Sequence, residues 1–348
     1  MTATIPNIRF ADALHVGAKQ DASDVHFLPG LPPALRVDGE LQFLNGSPLT
    51  AHDISEIARA LLEPERFAQL EAGVDISATH VSDDRLVLRI HAFRGSGGCT
   101  LAIRLLNKRI PTLDALQLPA VVGTLAHRER GLVIFAGPTG SGKSTSLASL
   151  IAELNSTTAR RIVTIEDPIE YRYESNRSLI TQREIGRDAP SFSCALLGAL
   201  RADPDTIMLG EMREVATMRA ALTAAETGHL VLTTLHTGSA VQTIERIIDA
   251  FGGPEQVQAR SQLAQSLTAV VCQRLVPRKH GPGRRAAVEV LIVNDAVRTM
   301  IRESRTHLIH NAITTGRQLG MQTFEHHLSE LVAANEIDGN LARRICES

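Results

Sequence analysis

The sequence predicts an α/β protein in two parts: a small α+β domain, then a mostly parallel sheet covered by helices, ending in a helical tail. Three observations carry that expectation. A glycine-rich stretch, Gly137-Pro138-Thr139-Gly140-Ser141-Gly142-Lys143-Ser144, lies between an apolar run and a helix-forming run. Downstream of it, strand-like runs alternate with helix-like runs, the pattern of parallel strands joined by helical crossovers. Upstream of it, strands and helices mix without that alternation. A length of 348 residues also suits two domains better than one core.

Taken in order, Ile8–Gln20 has apolar Ile8, Ala11, Leu14 and Ala18 near one face and reads as an amphipathic helix. Asp24–Leu28 alternates like a strand, and Pro29–Pro33 reads as a loop. Ala34–Val37 and Glu40–Leu44 flank Asp38-Gly39, a hairpin signal. Thr50 stands where it can cap a helix over Ala51–Leu62. Arg85–His91 and Thr100–Leu106 read as strands around Gly95-Ser96-Gly97-Gly98, and Asn107–Pro119 reads as a connector. Strands are then expected at Leu132–Ala136, Arg161–Ile165, Thr206–Leu209 and Leu230–Leu235. Helices are expected at Thr145–Leu154, Phe192–Arg201, Val215–Glu226 and Ala240–Ala250. Beyond Gln256 the pattern turns mainly helical, over Val257–Leu275 and Met321–Ala334, with a late strand or hairpin at Arg284–Val293 and a flexible exposed loop at Lys279–Arg285. The domain scheme is therefore 1–107, a linker over 108–119, a core over 120–275 and a mainly helical region over 276–348.

Composition narrows the function classes. The formal net charge is −2, aromatic residues make up 3% and Trp is absent, so there is neither a strong basic surface nor many stacking platforms. This argues against nucleic acid as a direct partner. No apolar run is long enough to span a bilayer, and the N-terminus lacks a signal-peptide pattern. Cys99, Cys194, Cys272 and Cys346 form no C-x-x-C pair, so no zinc site and no disulfide framework is expected, and a reducing cytosol is the simple inference.

The glycine-rich stretch fits G-x-x-x-x-G-K-[ST], in which backbone N–H groups wrap a phosphate at the positive end of a new helix. Gly137, Pro138, Thr139, Gly140, Ser141, Gly142, Lys143, Ser144 and Thr145 are thus the candidate nucleotide-binding residues. Lys143 can reach the outer phosphates of ATP, and the Ser144 hydroxyl can ligate Mg²⁺. Two acidic clusters follow apolar strands and so stand at the sheet edge where ligands bind in α/β folds. The first is Glu166-Asp167-Pro168-Ile169-Glu170, and the second is Glu211 after Ile207-Met208-Leu209-Gly210. A Glu at this second place suggests a water-bridged hold on Mg²⁺. Two histidines bracket the Leu230–Leu235 run. His236 stands at its exit, where it can report a γ-phosphate; His229, at the other end, reads as structural or as a subunit contact. His280, His307, His310, His326 and His327 form no metal-ligand pattern, and His326-His327 reads as a solvated pair on a polar helix face.

Together these blocks resemble the secretion ATPase superfamily, and within it the type IV pilus retraction ATPases. Gly137–Ser144 resembles the family's Walker A motif, Glu166–Glu170 its Asp box, Gly210-Glu211-Met212-Arg213 its Walker B region, and Ala224–His229 through His236-Thr237 its His box. Ala22–His26 and Arg36–Gly39 resemble its PAS-like N-terminal domain. The resemblance implies a RecA-like ATPase core behind that domain, with Glu170 as general base and Glu211 acting through the Mg²⁺ shell. Arg89, Arg94 and Arg104 are the arginines it brings toward the γ-phosphate. It further implies a cytoplasmic homo-hexamer, held at the inner membrane only through a platform protein, whose ATP hydrolysis withdraws pilin subunits and drives twitching motility. Ala296-Val297-Arg298-Thr299-Met300-Ile301 departs from the retraction branch's Ala-Ile-Arg-Asn-Leu-Ile motif at three places. The missing cysteine quartet and extra N-terminal domain favour the retraction branch over assembly and type II secretion ATPases. A type II or type IVB secretion, pilus-assembly or DNA-uptake ATPase is the alternative.

Overall fold

The computed structural model describes residues 8–20, 22–37, 39–81, 87–105, 110–281 and 283–346. The chain divides into two compact units, the first reaching residue 109 and the second beginning at Ile110.

The first unit holds strands β1 (Asp24–Phe27), β2 (Ala34–Val37), β3 (Glu40–Phe43), β4 (Ile76–Val81), β5 (Val87–Gly95) and β6 (Gly98–Leu105). They form one antiparallel sheet in the order β3-β2-β1-β6-β5-β4. Along β5 and β6 buried and more open positions alternate, so one face turns to a core of Phe10, Phe27, Leu35, Ile54, Ile90 and Ile103. Helices Ile8–Lys19, Ala51–Leu61 and Pro64–Glu71 contribute to that core. Thr50 caps the second of them: its side chain accepts from Asp53 N–H, and the Asp53 carboxylate accepts from Thr50 N–H. The expected hairpin forms with Val37 opposite Glu40, its Asp38 lying outside the described residues, as do Arg85 and Leu106 of the other expected strands. Sequence reasoning missed two elements, the helix Pro64–Glu71 and β4. The helix is short, and Ile76-Ser77-Ala78-Thr79-His80-Val81 carries large apolar side chains only at its ends, so neither gives a clear period.

The second unit holds β7 (Gly131–Ala136), β8 (Arg161–Glu166), β9 (Leu179–Glu184), β10 (Thr206–Leu209), β11 (Leu230–Leu235), β12 (Leu267–Pro277) and β13 (Arg284–Ile292). Their order is β13-β12-β7-β11-β10-β8-β9; every neighbouring pair is parallel except β12 with β13. The helices expected over Phe192–Arg201, Val215–Glu226 and Ala240–Ala250 occur as Phe192–Ala199, Val215–Glu226 and Ala240–Asp249. Both faces are covered, which is why β7, β10 and β11 are buried at every position.

Four expectations are corrected. The helix read over Val257–Leu275 stops at Ser266, and from Leu267 the chain is strand β12, so the boundary drawn at 275 cuts through a strand. Leu267-Thr-Ala-Val-Val-Cys is an apolar run buried on both faces, and such a run has no period to separate strand from helix. The late strand does form, as β13 paired with β12. Within the expected linker, Leu113–Leu116 is a short helix capped by Thr112, and Leu113 and Leu118 pack against the core of the second unit. Arg285, read as part of an exposed loop, is buried: it pairs with Glu336 and donates to the carbonyls of Leu116 and Gln117. His327, read as solvated, is also buried, and its Nδ1 accepts the Val288 N–H at 2.9 Å. Strand β9 was missed because Leu179-Ile-Thr-Gln-Arg-Glu is largely polar and lies at the sheet edge.

Candidate active site

Strand β7 delivers Gly137 to the C-terminal edge of the sheet, and helix Lys143–Thr157 leaves from the same place. Between them the backbone turns through positive φ at Gly137, Gly140 and Gly142. Gly142 occupies the left-handed region at φ 89° as the helix N-cap, so the first turn of N–H groups opens toward the loop. The Lys143 ammonium is buried and donates to the carbonyls of Gly137 and Pro138, at 2.8 Å each. Burial lowers its pKa, while the Glu211 and Glu170 carboxylates oppose that shift. The lysine therefore lies in the field of both acidic clusters. Ser144 is exposed on the first helical turn, and the Thr145 hydroxyl shares a 2.9 Å hydrogen bond with Tyr171.

The acidic residues arrive from neighbouring strand ends. Strands β11, β10 and β8 follow β7 in the sheet, so the exits after Leu235, Leu209 and Ile165 stand along one edge. Glu166 closes β8 and is buried. Its Oε1 accepts from Thr164 Oγ1 at 2.6 Å and from Gln182 Nε2 at 3.2 Å, and its Oε2 accepts the Glu170 N–H at 3.4 Å. Desolvation pushes the Glu166 carboxyl up to about 7, against the pull of those hydrogen bonds. A second buried carboxylate, Glu184 on β9, accepts the Ile169 N–H at 3.3 Å. The turn carrying Glu170 thus hangs from two buried acids, with Glu170 itself half-buried.

Glu211 follows Gly210 after β10. Gly210 is tied down by the Thr234 hydroxyl, which donates to its carbonyl at 2.7 Å. One oxygen of Glu211 accepts from Arg213 Nε and lies 3.5 Å from His236 Nε2. Burial first, then the Lys143 charge, lowers the His236 pKa, while Glu211 raises it. Lys143, Glu170, Glu211 and His236 are therefore brought together. His229 is not: it stands at the opposite end of β11, roughly 20 Å of strand away, where its Nδ1 engages the Ala224 carbonyl at 3.0 Å.

The residues present fit a phosphate and a hard cation. Ser141 Oγ, inside the loop, is buried with no hydrogen-bond partner among the described residues, an orphan that a phosphate oxygen would satisfy. The Ser144 hydroxyl and the Glu211 carboxylate are oxygen donors of the kind Mg²⁺ takes.

Arg89, Arg94 and Arg104 belong to the first unit. Arg94 pairs with Glu71 at 3.3 Å, and Arg104 with Asp24 at 3.0 Å. Strand register places Arg36, Asp24, Arg104 and Arg89 in one row across β2, β1, β6 and β5, with Arg89 directly opposite Arg104. Within this row the Asp24 carboxylate offsets the like charges of the arginines beside it. Sequence reasoning missed Gln182, Glu184, Thr234 and Gln273, all of which brace the site. Only Gln273 left a signal, a polar amide inside an apolar run.

A model of the Type II/IV secretion system protein family matches residues 18–345 of this chain. The chain is 42% identical to the type IV pilus retraction ATPase PilT of Pseudomonas aeruginosa, over 95% of this chain and 96% of that protein. Its fold superposes on a crystal structure of the pilus retraction motor PilT with bound ADP at a TM-score of 0.90, with 38% identity, covering 97% of this chain and 96% of that one. It also superposes on the ATPase DotB of Legionella pneumophila at a TM-score of 0.83, with 29% identity, covering 97% and 95%.

Proposed function

The chain belongs to the Type II/IV secretion system protein family, and from that premise we propose that it hydrolyses ATP to power the retraction of type IV pili. One observation carries the chemistry: a phosphate loop whose lysine lies in the field of two carboxylates, Glu211 and Glu170, delivered by neighbouring strand ends. Near full-length identity to a retraction ATPase supports the biological role, and identity is higher to PilT than to DotB.

The loop N–H groups and Lys143 would hold the β- and γ-phosphates, and Ser144 directly and Glu211 through water would hold Mg²⁺, which when bound would neutralise charge on the phosphate oxygens. Glu170 orients the attacking water and takes its proton. Glu166 and Glu184 fix the turn from which it acts. His236 touches Glu211 and so connects the third strand end to the nucleotide. The resemblance offers Arg89, Arg94 and Arg104 as sources of positive charge for the transferring phosphoryl group. The working assembly is a homo-hexamer acting on a membrane platform protein from the cytoplasmic side.

Phosphate release by the purified chain tests the enzyme, and Glu170→Gln tests the base. The variant keeps ATP bound while turnover falls by about 10⁴-fold, the upper end of what a general base contributes; hydrolysis at the parental rate would remove Glu170 from the role. Deleting the gene leaves surplus surface pili and no twitching. Loss of pili would point instead to assembly, and normal pili with blocked protein export to secretion.

A further inference from the structure

The phosphate loop rests on a residue from outside its own strand and helix. Gln273 lies on β12, beside β7, and is 3% exposed, a buried amide in a strand otherwise rich in apolar side chains. Its Oε1 accepts the Ser146 hydroxyl at 2.9 Å, on the first turn of the helix that leaves the loop. Its main-chain carbonyl lies only 2.3 Å from where a Cβ at Gly137 would stand, and its Nε2 only 2.7 Å from a Cβ at Gly142. One residue therefore touches both ends of the loop and the helix beyond. The two glycines are required here by this close approach as well as by their backbone angles.

We propose that Gln273 is a positioning residue for nucleotide binding, setting the loop and the first helical turn in register through its contacts with Gly137, Gly142 and Ser146. The support extends into the C-terminal part of the unit. Gln273 stands opposite Val288 on β13, and the Val288 N–H is held by buried His327. The phosphate loop is thus braced by the hairpin that carries the C-terminal helices. A buried amide left without its partner costs more than the hydrogen bond is worth, so removing one partner alters the site more than removing both.

This inference rests on the nucleotide reading of the loop, and the test separates the two. Binding of a fluorescent N-methylanthraniloyl ADP is titrated by anisotropy in the full chain, at a temperature where circular dichroism shows every variant folded. Gln273→Met keeps the volume and removes the amide, and is expected to weaken binding about tenfold. Ser146→Ala, a smaller change, is expected to weaken it as well, and the double variant to bind no more weakly than Gln273→Met alone. Strictly additive losses, or affinities within twofold of the parent for both single variants, would overturn the role of Gln273. A parent chain that does not bind the probe would overturn the nucleotide reading itself.

Discussion

The two sheets of this protein place chemistry in different ways. In the second unit, β7, β10 and β11 are buried at every position, so no side chain along them is free to act. The proposed chemistry is confined to the ends, where Gly137, Glu211 and His236 leave the sheet. In the first unit, β5 and β6 bury alternate side chains, and β3 is exposed along its whole length. Its charged residues therefore stand on a sheet face, in a row defined by strand register. A sheet covered on both sides concentrates its site at an edge, while a sheet open on one side spreads charge across a surface.

The contrast yields predictions of decreasing size. Lys143→Ala strikes the edge directly and reduces ATP turnover to background, checked by phosphate release; retained hydrolysis would separate the loop from the chemistry. On the face, Arg89→Gln and Arg104→Gln each lower turnover by roughly 10³-fold if they stabilise the transferring phosphoryl group. Arg94→Gln, near the end of β5 and outside that row, stays within a few-fold of the parent. Equal effects from all three would dissolve the distinction between row and strand end. For stability, Ile134→Ala in fully buried β7 costs about 2–5 kcal/mol, whereas Phe43→Ser on exposed β3 changes it by no more than about 0.5 kcal/mol, both read from denaturant midpoints.

A separate effect is in pH dependence. The Glu166 pKa rises on folding from the ordinary 4.5 to about 7. The unfolded chain therefore releases this proton first, and the stability due to Glu166 is complete below pH 4.5 and is lost as pH rises through 7. Glu166→Gln removes that slope from thermal midpoints measured between pH 5 and 8. An unchanged slope would mean that the edge carboxylate is not held protonated by burial.

Much of the edge site was legible because it depends on local order. Glycines, lysine and serine at fixed spacing define a loop, and an apolar run ending in an acid defines a strand exit. Lys143, Glu170, Glu211 and His236 were found that way and come together in the fold. His229, read from the far end of the same strand as structural or a subunit contact, stands away from the site against the Ala224 carbonyl. Other strands in both sheets were less legible: β4 and β9 carry little periodicity, and β12 could not be told from a helix. His327 and Arg285 looked solvated beside their polar neighbours, because burial depends on what packs above a residue and not on its flanks.

By itself the sequence determined the α/β class, the phosphate loop, the acidic strand exits and the family resemblance, since each is written in short-range spacing and side-chain chemistry. Only the tertiary structure decided that Glu166 and Glu184 hang the turn of Glu170, that Arg89 faces Arg104, and that Gln273 lies beneath Gly137 and Gly142. Those relations depend on strand order and register, which bring residues far apart in the chain within a few ångströms. Buried polar groups can find partners only after that order is set.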